Sequence, residues 1–172
     1  MLFNSLEFIV FFALVITTIV VIKNRKFQHL FLLAASYFFF IFSSNYLVSL
    51  LIFSTVLDFY IAQEIWKSTD SKKKKRLLII SIMGNLGLLG FFKYTDFGIS
   101  QFNSIAIALG QPEIPLLNII LPIGISFYTF QTISYTVDIY RGKLKPSESF
   151  REFALFVAFF PQLVAGPIVR AS

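Results

Sequence analysis

Long apolar runs separated by short polar segments constrain this chain more than any other feature. A helix that crosses a bilayer needs about 20 apolar residues. The runs cover residues 2–22, 27–42, 46–65, 77–92 and 116–139. Charged residues make up only 14% of the chain, against about 25% in soluble domains. The sequence predicts an all-α integral membrane protein with about five transmembrane helices, in one membrane domain over 1–172 with no separate soluble domain.

The basic residues lie between these runs. They form clusters at 23–26, 67–76 and 141–151. If 27–42 and 46–65 form a pair of helices, all three clusters lie on one side of the membrane, leaving only Lys93 and Arg170 elsewhere. Cytoplasmic loops are enriched in Lys and Arg. This pattern predicts a multi-pass protein with its N-terminus outside. It also argues against nucleic acid as the partner of the positive charge.

Three segments are not plain spans. Residues 97–109 have the spacing of an amphipathic helix at the outer surface, with Asp96 as N-cap and Gly110 as its end. Residues 67–76 are predicted to be a solvated basic loop near lipid headgroups. In 143–172, a capping box starts a helix near residue 150, and prolines then interrupt it. This last stretch is predicted to be a broken or re-entrant segment.

A polar stripe marks the fifth run. Tyr128, Gln131, Tyr135 and Asp138 are spaced three, four and three residues apart, so they share one helical face. Ser134 is adjacent to them. Polar groups in a membrane need a protein partner or water. The stripe therefore either lines a cavity or locks helices together.

Other polar or small residues also lie within apolar runs. Asp58 is either a hydrogen-bonded packing contact or an acid that lines a cavity. Asn85 is expected to form an interhelical hydrogen bond. Gly84, Gly87 and Gly90 repeat every three residues, which favours close approach of a neighbouring helix.

No catalytic constellation follows from the residues alone. The chain has no cysteine and a single histidine, His29, which is expected to be an interfacial residue rather than a general base. No phosphate-binding loop or metal-ligand spacing occurs. A polar stripe and a broken segment fit a channel, a transporter or a membrane enzyme equally.

Three motifs carry a family resemblance. LPIGISFYTFQTISYTVDIYRG at 121–142, FFPQLVAGPIVR at 159–170 and GFFKYTDF at 90–97 resemble the membrane-bound O-acyltransferase family. The subgroup is the bacterial alginate O-acetyltransferase and D-alanine-export type. The resemblance implies transfer of an acyl group to hydroxyls of an exported polysaccharide at the bacterial inner membrane, with acetyl as the expected acyl group.

The resemblance covers only the N-terminal part of such an enzyme. Family members have about twice as many spans, and their catalytic histidine lies in a downstream Trp-Arg-x-Trp-His type motif that His29 does not match. The resemblance thus implies a fragment, a truncated gene product or one part of a split protein, and in each case a chain that is inactive alone. Its expected partners are the missing C-terminal half or a carrier or accessory acyl-transfer protein. No bound cofactor is implied, and the acyl donor stays open. The competing interpretation is a non-catalytic bundle, either a transporter piece or a docking subunit.

By analogy with the family, several residues are expected to line or support an acyl-transfer tunnel. These candidates are Tyr128, Gln131, Ser134, Tyr135, Asp138, Pro161, Gly166, Pro167 and Arg170. Arg170 either meets an anionic group or pairs with an acid, and no catalytic or metal-binding residue is assigned.

Overall fold

The computed structural model describes residues 5–165, and within them the regular structure is entirely helical. This confirms the predicted all-α class. The helices are α1 Leu6–Val21, α2 Arg25–Ser44, α3 Val48–Lys67, α4 Ser71–Ala108, α5 Ile125–Tyr140, α6 Phe150–Ala158 and α7 Phe160–Ala165.

Helices α2, α3 and α4 are each long and apolar enough to cross a membrane, while α1 is apolar but shorter. The runs predicted at 27–42 and 46–65 are confirmed as two helices, joined by the 3-10 turn Asn45–Leu47. Many large apolar side chains of the described helices point outward, as expected for surfaces in contact with lipid or further protein. The number of spans stays a prediction.

Helix α4 differs from the predicted arrangement. A span at 77–92 followed by a separate surface helix at 97–109 is wrong, because α4 is continuous over 38 residues, or about 57 Å at 1.5 Å per residue. Asp96 is not an N-cap. Its carboxylate instead accepts hydrogen bonds from the backbone N–H groups of Leu117 and Ile119, at 2.9 and 2.8 Å. Gly110 does end the helix, with a φ of 68°.

The basic loop predicted at 67–76 is also mostly helix. Asp70 caps α4 by accepting a hydrogen bond from the Lys72 N–H at 2.8 Å, so the lysines that follow lie in its first turns. An N-cap side chain of this type stabilises the start of a helix by about 1 kcal/mol.

The fifth predicted span, 116–139, is helical only in its second half. Residues 111–122 have no regular structure, and their backbone is held by side chains of α4 instead. Asn103 bonds both the N–H and the C=O of Ile114, at 2.9 and 2.8 Å. Helix α5 starts after Gly124, whose φ is 74°. A Cβ there would lie 3.1 Å from the Leu163 carbonyl oxygen, so the position favours glycine.

Helices α3, α4 and α5 enclose a buried polar network around Asp58, which is 0% exposed. Its carboxylate accepts from the Ser81 hydroxyl at 2.5 Å and from the Asn85 amide at 2.7 Å. Ser54 and Thr132 donate to the Asn85 carbonyl oxygen at 2.5 and 3.4 Å. Asp58 is therefore a packing contact, and the predicted interhelical bonding of Asn85 is confirmed.

Only one of the three predicted glycines lies at a helix contact. A Cβ on Gly84 would be 3.0 Å from the Leu57 side chain of α3, whereas Gly87 and Gly90 have open space beside them. Residues three apart on an α-helix differ by 60° in direction. The series therefore turns away from α3 and faces outward.

The basic segments gather at one end of the bundle. The Gln63 amide near the end of α3 donates to the Ser147 carbonyl oxygen at 2.7 Å. His29 near the start of α2 lies 3.8 Å from Glu152 near the start of α6. Links of three residues join α1 to α2 and α3 to α4. The grouping derived from the sequence therefore holds in three dimensions.

Replacing Asp58 by Leu should lower the thermal unfolding midpoint in detergent. The change leaves the Ser81 hydroxyl buried without its acceptor, at about 1–3 kcal/mol. It also leaves the Asn85 amide with the Ser81 carbonyl oxygen, at 3.0 Å, as its remaining acceptor. The control is Glu64→Gln, which removes only an exposed pair with Lys73, worth about 0–1 kcal/mol. Equal midpoints for the two variants would contradict a central role for Asp58.

Candidate functional site

The polar stripe predicted on α5 faces the protein interior. Tyr128, Gln131 and Tyr135 are 1–3% exposed, and Ser134 and Asp138 are half-buried. The three buried side chains follow from the predicted spacing, because they lie on one face. Neither the packing partner nor the bonds of these side chains could be read from the sequence.

Gln131 joins α5 to α6. Its amide donates to the Phe156 carbonyl oxygen at 2.9 Å. Helix α6 ends at Ala158, and the last four carbonyl groups of a helix have no partner within it. Because the helix is interrupted between α6 and α7, the Phe156 carbonyl oxygen has no helical partner. The Gln131 amide supplies its hydrogen bond instead. Ser134, by contrast, bonds within its own helix, to the Gln131 carbonyl oxygen at 2.9 Å.

Tyr135 holds the loop that precedes α6. Its hydroxyl oxygen accepts from the Ser147 N–H at 2.8 Å, and its ring lies 4.5 Å from the Phe153 ring between centroids. An open cleft of about 310 Å³ borders this contact. Its lining residues are Tyr135, Leu144, Lys145, Ser147, Glu152, Phe153 and Phe156.

The break between α6 and α7 is the one predicted near Pro161. Helix α7 begins at Phe160, so Pro161 falls in a first turn, where a missing N–H costs little. The Phe160 N–H donates to the Ser36 hydroxyl at 3.4 Å, and its buried ring packs 5.2 Å from that of Phe11. Helices α1 and α2 thereby fix the position of the break. The candidates Gly166, Pro167 and Arg170 lie outside the described residues.

His29 lies on a second open cleft, on the other side of α6. This cleft measures about 320 Å³ and is lined by His29, Glu152, Leu155, Phe156, Phe159 and Gln162. The imidazole Nδ1 faces the Glu152 carboxylate at 3.8 Å. The described part of the chain therefore pairs this histidine with an acid at the basic end of the bundle, rather than with a hydroxyl in its core.

Within residues 5–165, the site can hold and orient groups but contains no cluster of acids and histidines able to bind a metal ion. Three buried polar atoms, the Tyr128 hydroxyl, the Arg151 Nε and the Gln162 amide nitrogen, have no hydrogen-bond partner in this part. The sequence interpretation missed Thr129, Thr132 and Thr136, which are buried beside the stripe. Their spacing of three and four was the available signal.

Comparison with known proteins reveals clear relatives. The chain is 42% identical over 124 residues to the probable alginate O-acetylase of Pseudomonas aeruginosa, covering 70% of this chain and 24% of that protein. It is 39% identical over 117 residues to the corresponding protein of Azotobacter vinelandii, with coverages of 67% and 23%. It is 37% identical over 147 residues to the peptidoglycan O-acetyltransferase of Helicobacter pylori, with coverages of 72% and 27%.

These relatives support the resemblance to the membrane-bound O-acyltransferase family. The resemblance inferred from the three motifs is thus confirmed. The chain spans about a quarter of the length of the curated relatives it matches. No family model and no solved structure matches it. Its apolar helices and these relatives identify it as a multi-pass membrane protein.

Replacing Tyr135 by Phe should make the 141–149 loop more accessible to trypsin in detergent. The change removes the acceptor of the Ser147 N–H, a bond worth about 1 kcal/mol, and the loop carries Arg141 and Lys143 as cleavage sites, whereas Lys145 precedes Pro146 and resists trypsin. The matched control is Tyr128→Phe, the same change on the same helix at a hydroxyl with no partner in the described residues. Similar cleavage rates for both variants would contradict the role assigned to Tyr135.

Proposed function

We propose that these 172 residues are the N-terminal part of a membrane O-acyltransferase that transfers an acetyl group to hydroxyls of an exported polysaccharide. The observation that carries the proposal is the agreement among the relatives' names. The alginate and peptidoglycan enzymes act on different polymers but share O-acetyl transfer to a polysaccharide. The acceptor of this protein therefore belongs to the same chemical class.

The part described here acts as scaffold. Activating a hydroxyl for acyl transfer needs a general base with a pKa near neutrality, which favours histidine. The single histidine of the sequence, His29, is paired with Glu152 at the basic end. In the proposed enzyme the base comes from the remaining portion, and Gln131 and Tyr135 hold α6 and its preceding loop in place for it.

The remaining portion of the enzyme is also the proposed main partner. The buried Tyr128 hydroxyl has no partner within residues 5–165, and an unpaired hydroxyl in an apolar medium is costly. A polar group from the rest of the enzyme would satisfy it. A carrier or accessory acyl-transfer protein would deliver the acyl group, and the acceptor polymer would bind only to the whole enzyme.

The proposed location is the bacterial cytoplasmic membrane, with the N-terminus outside. The gathering of basic segments at one end of the bundle supports this orientation, because Lys and Arg are enriched on the cytoplasmic side. In this orientation the 111–122 segment and the C-terminal half of α4 lie toward the outside, where an exported polymer would be met.

A chimera tests the proposed function. The matching quarter of the Pseudomonas aeruginosa enzyme is replaced by the 124 matching residues of this chain, and acetyl esters on alginate are measured in cells lacking the parent enzyme. We expect acetylated alginate from the chimera. We expect none from the 172 residues expressed alone, since the general base is then absent.

A second chimera carries Gln131→Leu. This change removes the hydrogen bond to the Phe156 carbonyl oxygen and should reduce acetylation. A chimera that is stably inserted in the membrane at the parent's level but yields no acetyl ester would contradict the proposal. That result would favour a non-catalytic bundle, such as a transporter piece or a docking subunit.

Single cysteines test the proposed orientation, because the natural chain has none. Gln111→Cys and Thr69→Cys place one thiol each at exposed loop positions on opposite ends of α4. A membrane-impermeant maleimide should label Gln111→Cys in intact spheroplasts and Thr69→Cys only after permeabilisation. The reverse pattern would place the basic end outside and overturn the orientation.

A further inference from the structure

The first turns of α4 carry a concentrated positive charge. Residues 72–76 are all Lys or Arg, and all except Lys74 are exposed. Lys73 is partly neutralised by Glu64, 3.1 Å away on α3. Lys72, Lys75 and Arg76 remain as exposed cations with no ion pair in the described residues.

These cations lie above an exposed apolar surface on the same helix. At 100° per residue, Lys72, Lys75 and Arg76 point within about 100° of one another. Ile79 and Met83, one and two turns further on, point in the same direction and are 49% and 66% exposed. Gly87 continues this surface with open space beside it. Basic groups are therefore followed directly by an outward apolar stripe.

We propose that this surface binds an anionic phospholipid, with its phosphate on Lys72, Lys75 and Arg76 and its acyl chain along Ile79 and Met83. Phospholipids join a negative headgroup to an apolar chain in this same order. A soluble polyanion or an acidic protein would match the cations but leave the stripe uncovered. Basic residues next to a membrane helix each contribute about 1 kcal/mol toward anionic lipid.

Aromatic residues mark the same level of the bundle. Trp66 and Tyr60, in the last turns of α3, are 43% and 63% exposed. Trp and Tyr are enriched where a protein crosses the headgroup region. Trp66 lies two residues from Glu64, which contacts Lys73 at the start of α4. The exposed aromatic residues therefore indicate that the lipid headgroup region lies at the same level as the basic residues at the start of α4. The proposal does not depend on the acyltransferase assignment.

Trp66 also provides the measurement, since it is the only tryptophan of the chain. The full chain is reconstituted in vesicles containing phosphatidylglycerol or phosphatidylcholine, each brominated near the headgroup end of its acyl chains. Quenching of Trp66 fluorescence reports which lipid is enriched around the bundle at the level of the cations. We expect phosphatidylglycerol to be preferred by at least about fivefold, the effect of one basic residue, and salt to reduce this preference.

The test variant combines Lys72→Gln, Lys75→Gln and Arg76→Gln, which keep good helix formers at exposed positions. The matched control combines Lys23→Gln, Arg25→Gln and Lys26→Gln, which removes the same charge from the same end. The preference should vanish in the first variant and persist in the second. Soluble glycerol phosphate should not compete, because it lacks the chain that the stripe binds.

Equal quenching of the natural chain by the two lipids would overturn the proposal, whatever the variants do. Equal loss of preference in both triple variants would also overturn it, since it would show a general charge effect. Competition by glycerol phosphate would show a phosphate site without a lipid. Unchanged quenching by phosphatidylcholine confirms that a variant remains folded and inserted.

Discussion

Polar groups that lie away from water must find partners inside the protein, and this requirement organises the whole bundle. At its centre Asp58 joins α3 to α4 through Ser81 and Asn85. The Asn85 carbonyl oxygen in turn accepts hydrogen bonds from the hydroxyl groups of Ser54 on α3 and Thr132 on α5. A carboxylate in apolar surroundings is stable only when its oxygens are bonded. The three helices must therefore hold a single register relative to one another.

The same requirement explains where the chain departs from regular helix. Residues 111–122 form no helical hydrogen bonds. The side chains of Asp96 and Asn103 on α4 form hydrogen bonds with the backbone of this segment instead. The break after α6 exposes the Phe156 carbonyl, and Gln131 bonds it. Polar residues within apolar sequence thus coincide with places where the backbone lacks partners.

In the function we propose, the described residues form a frame for acyl transfer and the remaining portion of the enzyme supplies the chemistry. The resemblance to the family is supported by relatives of which this chain matches about a quarter. Two open clefts flank α6 at the basic end, and the polar stripe of α5 holds that helix in position.

The sequence by itself determined the helical class, the family resemblance, the α2–α3 pair, the start of α6 and the inward face of α5. These follow from hydrophobic periodicity, capping residues and motifs, which are local. Only the tertiary structure decided that α4 is continuous, that 111–122 has no regular structure and that the polar stripe bonds α6. In each case a residue distant in sequence completes the hydrogen bonds. Asp96 illustrates the reason, because the same side chain can cap a helix or bind a neighbouring segment, and local spacing does not distinguish them.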